Sequence, residues 1–378
     1  MQKLGFGCMR LPMIPSTDEV DIELFTRLVD RYMEAGGNYY DTAHGYVGGK
    51  SESAMKAALL DRYPRESFWI TDKISGEFLS MRSTIDDCWA LVNSSFENLG
   101  TDWFDLFLVH CVSEENIGIY RHAGAFDVVK ALKADGRAKH IGMSFHGYPQ
   151  LLVELLDEHP EIEYVQIQFN WADLYASNVE AKKLYDILVE RGKKILVMEP
   201  LKGGALADPP EDVKKLINEF NAKRGVDYSY ASYGYRFAAS FPGIEIVNSG
   251  MNTMEQLEDN IKTLIDFTPL DAEEMALMEQ ARKLIEKNNA IACTGCHYCT
   301  KGCPKQIPIP EIFATYNSEQ RNTVKSNSWN NGMYYKFVVQ NRGKASDCIK
   351  CGKCVKTCPQ HLPVSDLMEV CRIEFEGA

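Results

Sequence analysis

The sequence predicts an α/β fold: a closed, TIM-type (β/α)8 barrel of parallel strands, followed by a small C-terminal α+β domain organised around cysteines. Three observations carry this. Over the first 288 residues, apolar runs of strand length alternate with segments of helical period. Eight such units in roughly 250 residues suit a closed parallel barrel. Beyond residue 288 the alternation stops, and eight of the chain's 12 cysteines crowd between Cys293 and Cys358. The expected domains are therefore 1–288 and 289–378.

The strands read as Leu4–Gly7, Asn38–Asp41, Phe68–Lys73, Phe104–His110, His140–Ser144, Val165–Phe169, Ile195–Glu199 and Glu245–Ser249. Between them lie helical patterns, for instance Val20–Ala35, Thr84–Leu99, Phe126–Lys133, Leu151–Glu158 and Val179–Arg191. An open doubly wound sheet is the alternative. Against it, no G-x-G-x-x-G follows the first strand, so the phosphate loop of that fold is missing.

A chain of 378 residues has room for one large and one small domain. No stretch has the 18 or so apolar residues of a membrane helix. The opening Met1-Gln2-Lys3-Leu4-Gly5-Phe6-Gly7 reads as a strand rather than a secretion signal. A cytoplasmic, reducing location is the expectation. Residues 289–378 hold 11 Lys+Arg against 7 Asp+Glu, or +4, so the first 288 carry −16 of the total −12. An acidic body argues against nucleic-acid binding.

Two cysteine segments repeat one pattern, 55 positions apart. Cys293-Thr-Gly-Cys296-His-Tyr-Cys299-Thr-Lys-Gly-Cys303-Pro304 and Cys348-Ile-Lys-Cys351-Gly-Lys-Cys354-Val-Lys-Thr-Cys358-Pro359 both read C-x2-C-x2-C-x3-C-P. Each is followed by a matching stretch, Ile307–Phe313 and Leu362–Met368, in which Pro or Ser precedes an acidic residue and an apolar pair, as at a helix start. Without a secretion signal, such clustering points to metal rather than disulfides. Zinc sites use separated C-x2-C pairs, whereas a triple closed by C-P is the bacterial ferredoxin pattern. Three cysteines at i, i+3 and i+6 wrap three corners of one [4Fe–4S] cubane, and the fourth serves the neighbouring cubane. That rule assigns Cys293, Cys296, Cys299 and Cys358 to one cluster and Cys348, Cys351, Cys354 and Cys303 to the other. Cys8, Cys88, Cys111 and Cys371 fall outside the pattern and read as packing residues. The insert Asn317–Arg342, rich in Asn and aromatics (Trp329, Tyr334, Tyr335, Phe337), is longer than a compact ferredoxin needs. Its expected use is to pack the small domain onto the barrel or to cover a cluster.

In a barrel, chemistry gathers at strand C-termini. Those ends carry Asp41, then Tyr46 five residues on, Lys73 and His110. The segments Asp41-Thr42-Ala43-His44-Gly45-Tyr46, Gly49-Lys50-Ser51-Glu52, Thr71-Asp72-Lys73 and Leu108-Val109-His110 resemble the aldo-keto reductase signatures, and the resemblance runs from Leu4 to about Asn260. It implies carbonyl reduction or its reverse, with Tyr46 as acid/base, Lys73 and Asp41 as its tuners and His110 orienting the substrate oxygen. The chemistry needs these types. Free Tyr has a pKa near 10 and is a slow proton donor at neutral pH, a cationic Lys73 lowers that pKa, and Asp41 keeps the ammonium in place.

The same resemblance implies a nicotinamide dinucleotide along the rim. Ser144 and Gln166 match carboxamide-binding positions. Pro200-Leu201-Lys202-Gly203-Gly204-Ala205-Leu206 matches the pyrophosphate loop, where glycine permits close backbone approach. Ser249, Gly250, Gln256 and Asn260 match the adenosine end. Three positions depart from the family. Phe145, then His146, follow Ser144 where many members have Asn, and Met198 stands where many have a stacking Tyr. The Gly250–Gln256 segment has no Lys or Arg for a 2′-phosphate, so no NADP preference is expected. The variable loops that would set the substrate are Val112–Ala125 and Trp171–Asn178. Clusters move single electrons while nicotinamide exchanges two as hydride, so direct coupling calls for a carrier such as a flavin. No flavin motif is visible, although a barrel rim can bind one without a signature. Three readings follow. The first is an NAD(P)H-dependent reductase of small carbonyl substrates, whose clusters are structural or serve a redox partner protein. The second is an electron-transfer protein feeding a flavin or other cofactor in the barrel. The third is a non-catalytic redox-sensing scaffold.

Overall fold

The computed structural model describes residues 2–321 and 328–377, with the backbone alone for 328–331. Its eight strands are β1 (Leu4–Gly7), β2 (Tyr39–Asp41), β3 (Trp69–Ile74), β4 (Phe104–Val112), β5 (Ala138–Phe145), β6 (Tyr164–Gln168), β7 (Lys194–Met198) and β8 (Ile244–Ser249). They pair in chain order as one closed parallel barrel, β8 returning to β1. The expected helices are also present, as Ile22–Glu34, Ile85–Leu99, Ala125–Ala134, Pro149–Glu158 and Ala181–Glu190. Their ends follow capping chemistry. The Asp21 carboxylate accepts from the Leu24 amide at 2.9 Å, and Thr84 with Asp87 forms a capping box. Further helices include Glu211–Arg224, Tyr230–Ala239, Met254–Leu264 and Ala272–Lys287.

Strand alternation decides what faces the barrel interior. Tyr39, Leu106, Leu108, Tyr164, Leu196 and Ile246 form one buried cluster inside it. Two residues further along the same strands, the inward row reads Asp41 on β2, His110 on β4, Gln166 on β6, Met198 on β7 and Asn248 on β8. Lys73 pairs in register with Leu108, and Ser144 with Gln166. The strand C-termini thus carry an inward layer that is polar except for Met198, above an apolar one.

The chain divides into two compact units. The first, Met1–Phe169, Lys183–Pro200 and Tyr235–Leu270, contains all eight strands. The second comprises Asn170–Lys182, Leu201–Gly234 and Asp271–Ala378, so it takes in segments that follow β6 and β7 as well as the cysteine-rich segment. In that segment the helices Ile309–Gln320 and Val364–Glu376 begin at the two matching Pro-containing stretches. Among the described residues no strand follows Ser249, so helices and loops alone make up what was expected to be an α+β domain. Its core is a cluster of Ile307, Ile312, Phe313, Tyr335, Met368 and Cys371 with their neighbours.

Tyr335, from the aromatic insert, belongs to that core. Its ring stacks on Phe375 at 4.6 Å and its hydroxyl donates to Glu376 Oε1. The Trp329 side chain lies outside the described residues. Cys8, Cys88 and Cys371 are buried, as packing residues should be, while Cys111 is half-buried. No helix among the described residues is long and apolar enough to cross a membrane.

Barrel closure leaves no room at Gly142 on β5. A Cβ there would stand 2.2 Å from the Tyr164 carbonyl oxygen and 2.7 Å from Leu108 Cδ2. Gly142→Ala is expected to destabilise the barrel by about 3 kcal/mol, read as a lower denaturant midpoint at unchanged slope.

Candidate active site and thiol cavities

The four strand-end residues converge in the first unit. Lys73 is fully buried, and its Nζ donates to Asp41 Oδ1 at 2.6 Å and to the Thr42 carbonyl at 2.7 Å. Its third donor reaches the Tyr46 hydroxyl at 3.3 Å. On its other side that hydroxyl lies 3.4 Å from His110 Nε2, the two rings meeting edge to face. One phenol therefore sits between an ammonium and an imidazole. Gln166, expected at the carboxamide, gives its Nε2 to Asp41 Oδ2 at 2.9 Å, so both carboxylate oxygens are held.

Burial and charge compete here. Burial pushes Lys73 down, but Asp41 and Tyr46 outweigh it and raise it, so the ammonium stays charged. Burial pushes Tyr46 up to about 12; Lys73 pulls the other way without overcoming it. The net lowering anticipated for Tyr46 is thus not found, because burial is the larger effect. Burial, with Lys73 nearby, holds His110 well below the ordinary imidazole value, so it is neutral at pH 7.

Further residues complete the site, and of these only Ser75 carried no signal in the sequence. Ser75 Oγ lies 3.0 Å from His110 Nδ1 and fixes the ring from behind. His146, which follows Phe145, is half-buried near His110 and held down to about 4 by loss of solvation and then by Lys73. Glu52 is fully buried, 3.3 Å from His44 Nδ1 and accepting from Asn98 at 2.8 Å, which ties down the segment between Asp41 and Tyr46. Burial, and then the neighbouring Glu52, push the Asp72 carboxyl well above its ordinary value.

The residues expected to bind the dinucleotide are distributed as follows. Ser144 Oγ accepts from the Cys111 amide at 2.6 Å. Ser249 Oγ accepts from Asn260 Nδ2 at 2.9 Å and shares a hydrogen bond with the Tyr235 hydroxyl, so these two adenosine-end positions come together. Gln256 instead turns its Oε1 onto the Asn252 amide. A Cβ on Gly250 would stand 3.3 Å from Arg10 Cβ, so the fold brings a cation against a segment that has none of its own. Pro200 belongs to the first unit, and Leu201, Gly203 and Gly204 to the second. Gly203 and Gly204 both adopt positive φ, which a side chain would strain. Between them and Leu201, Lys202 is buried and ion-paired to Asp173, which Lys202 and Arg321 hold below the usual carboxylate range against its burial.

The inward layer also contains Asn248, buried, with neither amide atom hydrogen-bonded among the described residues. An unsatisfied buried amide costs about 1–3 kcal/mol, so this one suits a polar ligand group.

The second unit holds two cavities, each ringed by four thiols. One is lined by Cys293, Cys296, Cys299 and Cys358, the other by Cys303, Cys348, Cys351 and Cys354. The last cysteine of each motif thus stands in the ring of the other motif. None of the eight is in a disulfide. The remaining lining is largely apolar, including Ile309, Phe313 and Met368, and Tyr334, Tyr335 and Phe337 line neither cavity. Four reduced thiols around a cavity with an apolar wall fit a [4Fe–4S] cubane.

Comparison with known proteins finds two family models along the chain. The aldo/keto reductase family model matches residues 3–283, and a 4Fe-4S dicluster domain model matches 292–362. An aldo-keto reductase of Mycolicibacterium paratuberculosis is 27% identical over 184 residues, 48% of this chain and 59% of that protein. The chain thus spans little more than half the length of that curated relative. A thermostable aldo-keto reductase solved with the inhibitor epalrestat superposes at a TM-score of 0.61 with 23% identity, covering 74% of this chain and 94% of the other. A Klebsiella pneumoniae aldo/keto reductase solved with NADP and acetate gives 0.59 at 18% identity, covering 73% and 90%. At such identities the two structures establish the fold.

The Lys73–Asp41 pair gives a direct test. Lys73→Met leaves a buried, uncompensated carboxylate and is expected to cost about 3–5 kcal/mol in equilibrium unfolding. Adding Asp41→Asn is expected to recover part of that loss, giving a double-mutant coupling of about 1 kcal/mol or more.

Proposed function

This chain belongs to the aldo/keto reductase family, and from that premise we propose an NAD(P)H-dependent oxidoreductase that reduces a small carbonyl substrate or runs the reverse reaction. The family and its relatives establish an oxidoreductase carrying a 4Fe-4S dicluster domain; the reaction is our reading. The observation that supports it is the Tyr46 hydroxyl held between Lys73 Nζ and His110 Nε2. A bound nicotinamide would supply the hydride. Tyr46 gives its proton to the carbonyl oxygen as charge develops there, and the neutral His110 steadies that oxygen by a hydrogen bond. Lys73 stabilises the phenolate left behind, while Asp41, Gln166 and the Thr42 carbonyl keep the ammonium from turning away. Ser144, Ser249, Asn260 and the orphan amide of Asn248 are the assigned contacts for the dinucleotide. Arg10, beside Gly250, is the cation suited to a 2′-phosphate.

The eight motif cysteines are assigned to two [4Fe–4S] clusters, Cys293, Cys296 and Cys299 with Cys358, and Cys348, Cys351 and Cys354 with Cys303. The crossed thiol rings support this reading. Such clusters exchange single electrons.

Three outcomes are expected. Tyr46→Phe lowers NAD(P)H-dependent aldehyde reduction at least about 100-fold while leaving unfolding unchanged; retained activity would remove Tyr46 from the mechanism. Because Tyr46 is raised to about 12, it stays protonated through neutral pH. Reduction is therefore expected to be flat from about pH 6 to 9, while alcohol oxidation, which needs the phenolate, rises about tenfold per pH unit. Oxygen-free protein is expected to contain about eight iron and eight sulfide per chain. Zinc in their place would refute the cluster assignment, and flavin absorption bands would favour a carrier in the barrel.

A further inference from the structure

The two thiol cavities differ in the charge around them. The ring of Cys303, Cys348, Cys351 and Cys354 is also lined by Lys305, Lys350 and Lys353, and by no acidic residue. The ring of Cys293, Cys296, Cys299 and Cys358 has no charged residue in its lining. The buried Glu311 is close enough to act on Cys293, and its carboxylate is paired with Arg342 at 3.4 Å and lies 3.8 Å from His297 Nδ1. The three lysines are exposed. Among the described residues neither Lys305 nor Lys353 is in an ion pair, while Lys350 lies near Glu369. In their midst Cys351 is exposed and Ile349 is 58% exposed, a large apolar side chain open to solvent beside a metal-ligating motif.

Two consequences follow from Coulomb's law. Reduction adds negative charge to a cluster already carrying four thiolates, so three ammonium groups within about a Debye length favour reduction at this site over the other. The same collar attracts an anionic surface and repels a cationic one. An apolar centre ringed by positive charge is the complement of an acidic protein surface.

We propose that the ring of Cys303, Cys348, Cys351 and Cys354 is the electron port of this protein, where an acidic one-electron carrier protein docks on Lys305, Lys350 and Lys353 around Ile349. This rests on the reading that both rings hold clusters. The step moves one electron: the reduced carrier is oxidised by one electron and the [4Fe–4S] cluster is reduced by one, with no bond or proton transferred. The uncollared cluster is reduced second.

The test uses the full chain, purified without oxygen and assayed for iron and sulfide, so that failure to load clusters exposes the prior reading separately. The probe is a reduced acidic [2Fe–2S] ferredoxin mixed in stopped flow, with reduced methyl viologen, a small cation, as the contrasting donor. The wild-type rate with the acidic probe is expected to fall about tenfold or more from low to high salt. At low salt, Lys305→Gln/Lys350→Gln/Lys353→Gln is expected to be about tenfold slower with that probe and insensitive to salt. With methyl viologen it should be no slower, and the matching Lys→Arg triple should keep the wild-type rates. In a redox titration followed by paramagnetic resonance, the cluster reduced first in wild type should become harder to reduce in the Gln triple. A carrier rate indifferent to salt and to the triple substitution would overturn the proposal. So would capture of the chain by anionic lipid vesicles through these lysines with no effect on the carrier rate. Should the triple variant fail to load iron, Lys353→Gln alone and the wild-type salt dependence decide between the same outcomes.

Discussion

A single ammonium inside a barrel organises the candidate active site. Lys73 has no solvent exposure, and a charge so placed persists only where its donors are all met. The Asp41 carboxylate, the Thr42 carbonyl and the Tyr46 hydroxyl meet them. Everything nearby is tuned by that charge. It counters the burial that drives Tyr46 upward, and it adds to the burial that keeps His110 and His146 neutral. Because burial is the larger effect on Tyr46, its phenol is held in the protonated form and the phenolate is costly.

The second organising constraint is the exchange of cysteines between motifs. Each motif supplies three thiols to one ring and its last thiol to the other, so neither ring closes without both motifs. The 44 residues between Cys303 and Cys348 are thereby pinned at both ends. The apolar cluster beneath, from Ile307 to Met368 and Cys371, packs directly against six of the eight ring cysteines. A cluster bound in the rings would add to the stability of this core, since metal binding and folding are linked.

Under the proposed function the two units would use different currencies of redox chemistry: the tyrosine site a proton alongside a two-electron hydride, the thiol rings single electrons. The charge distribution separates the rings further. A basic segment on a strongly acidic chain was visible as a bulk sum, but the useful fact is local: three lysines stand at one ring and none in the wall of the other.

Much of this was legible in the residues. Strand-length apolar runs at regular intervals can bury themselves only by pairing, and eight of them close a barrel, so both the fold and the strand ends carrying Asp41, Lys73 and His110 followed from pattern. Cysteine spacing likewise specified two quartets, because backbone reach limits which thiols can share a cubane. Tertiary structure alone decided the rest. Gln166 reaches Asp41 from a strand 125 residues away, Ser75 backs His110, Arg10 lies against Gly250, and the Asn248 amide has no hydrogen-bond partner among the described residues. None of these is encoded by local spacing, since each depends on which strands become neighbours when the sheet closes. The balance between burial and charge at Tyr46 is also a property of the folded site, because desolvation exists only once the surrounding chain has excluded water.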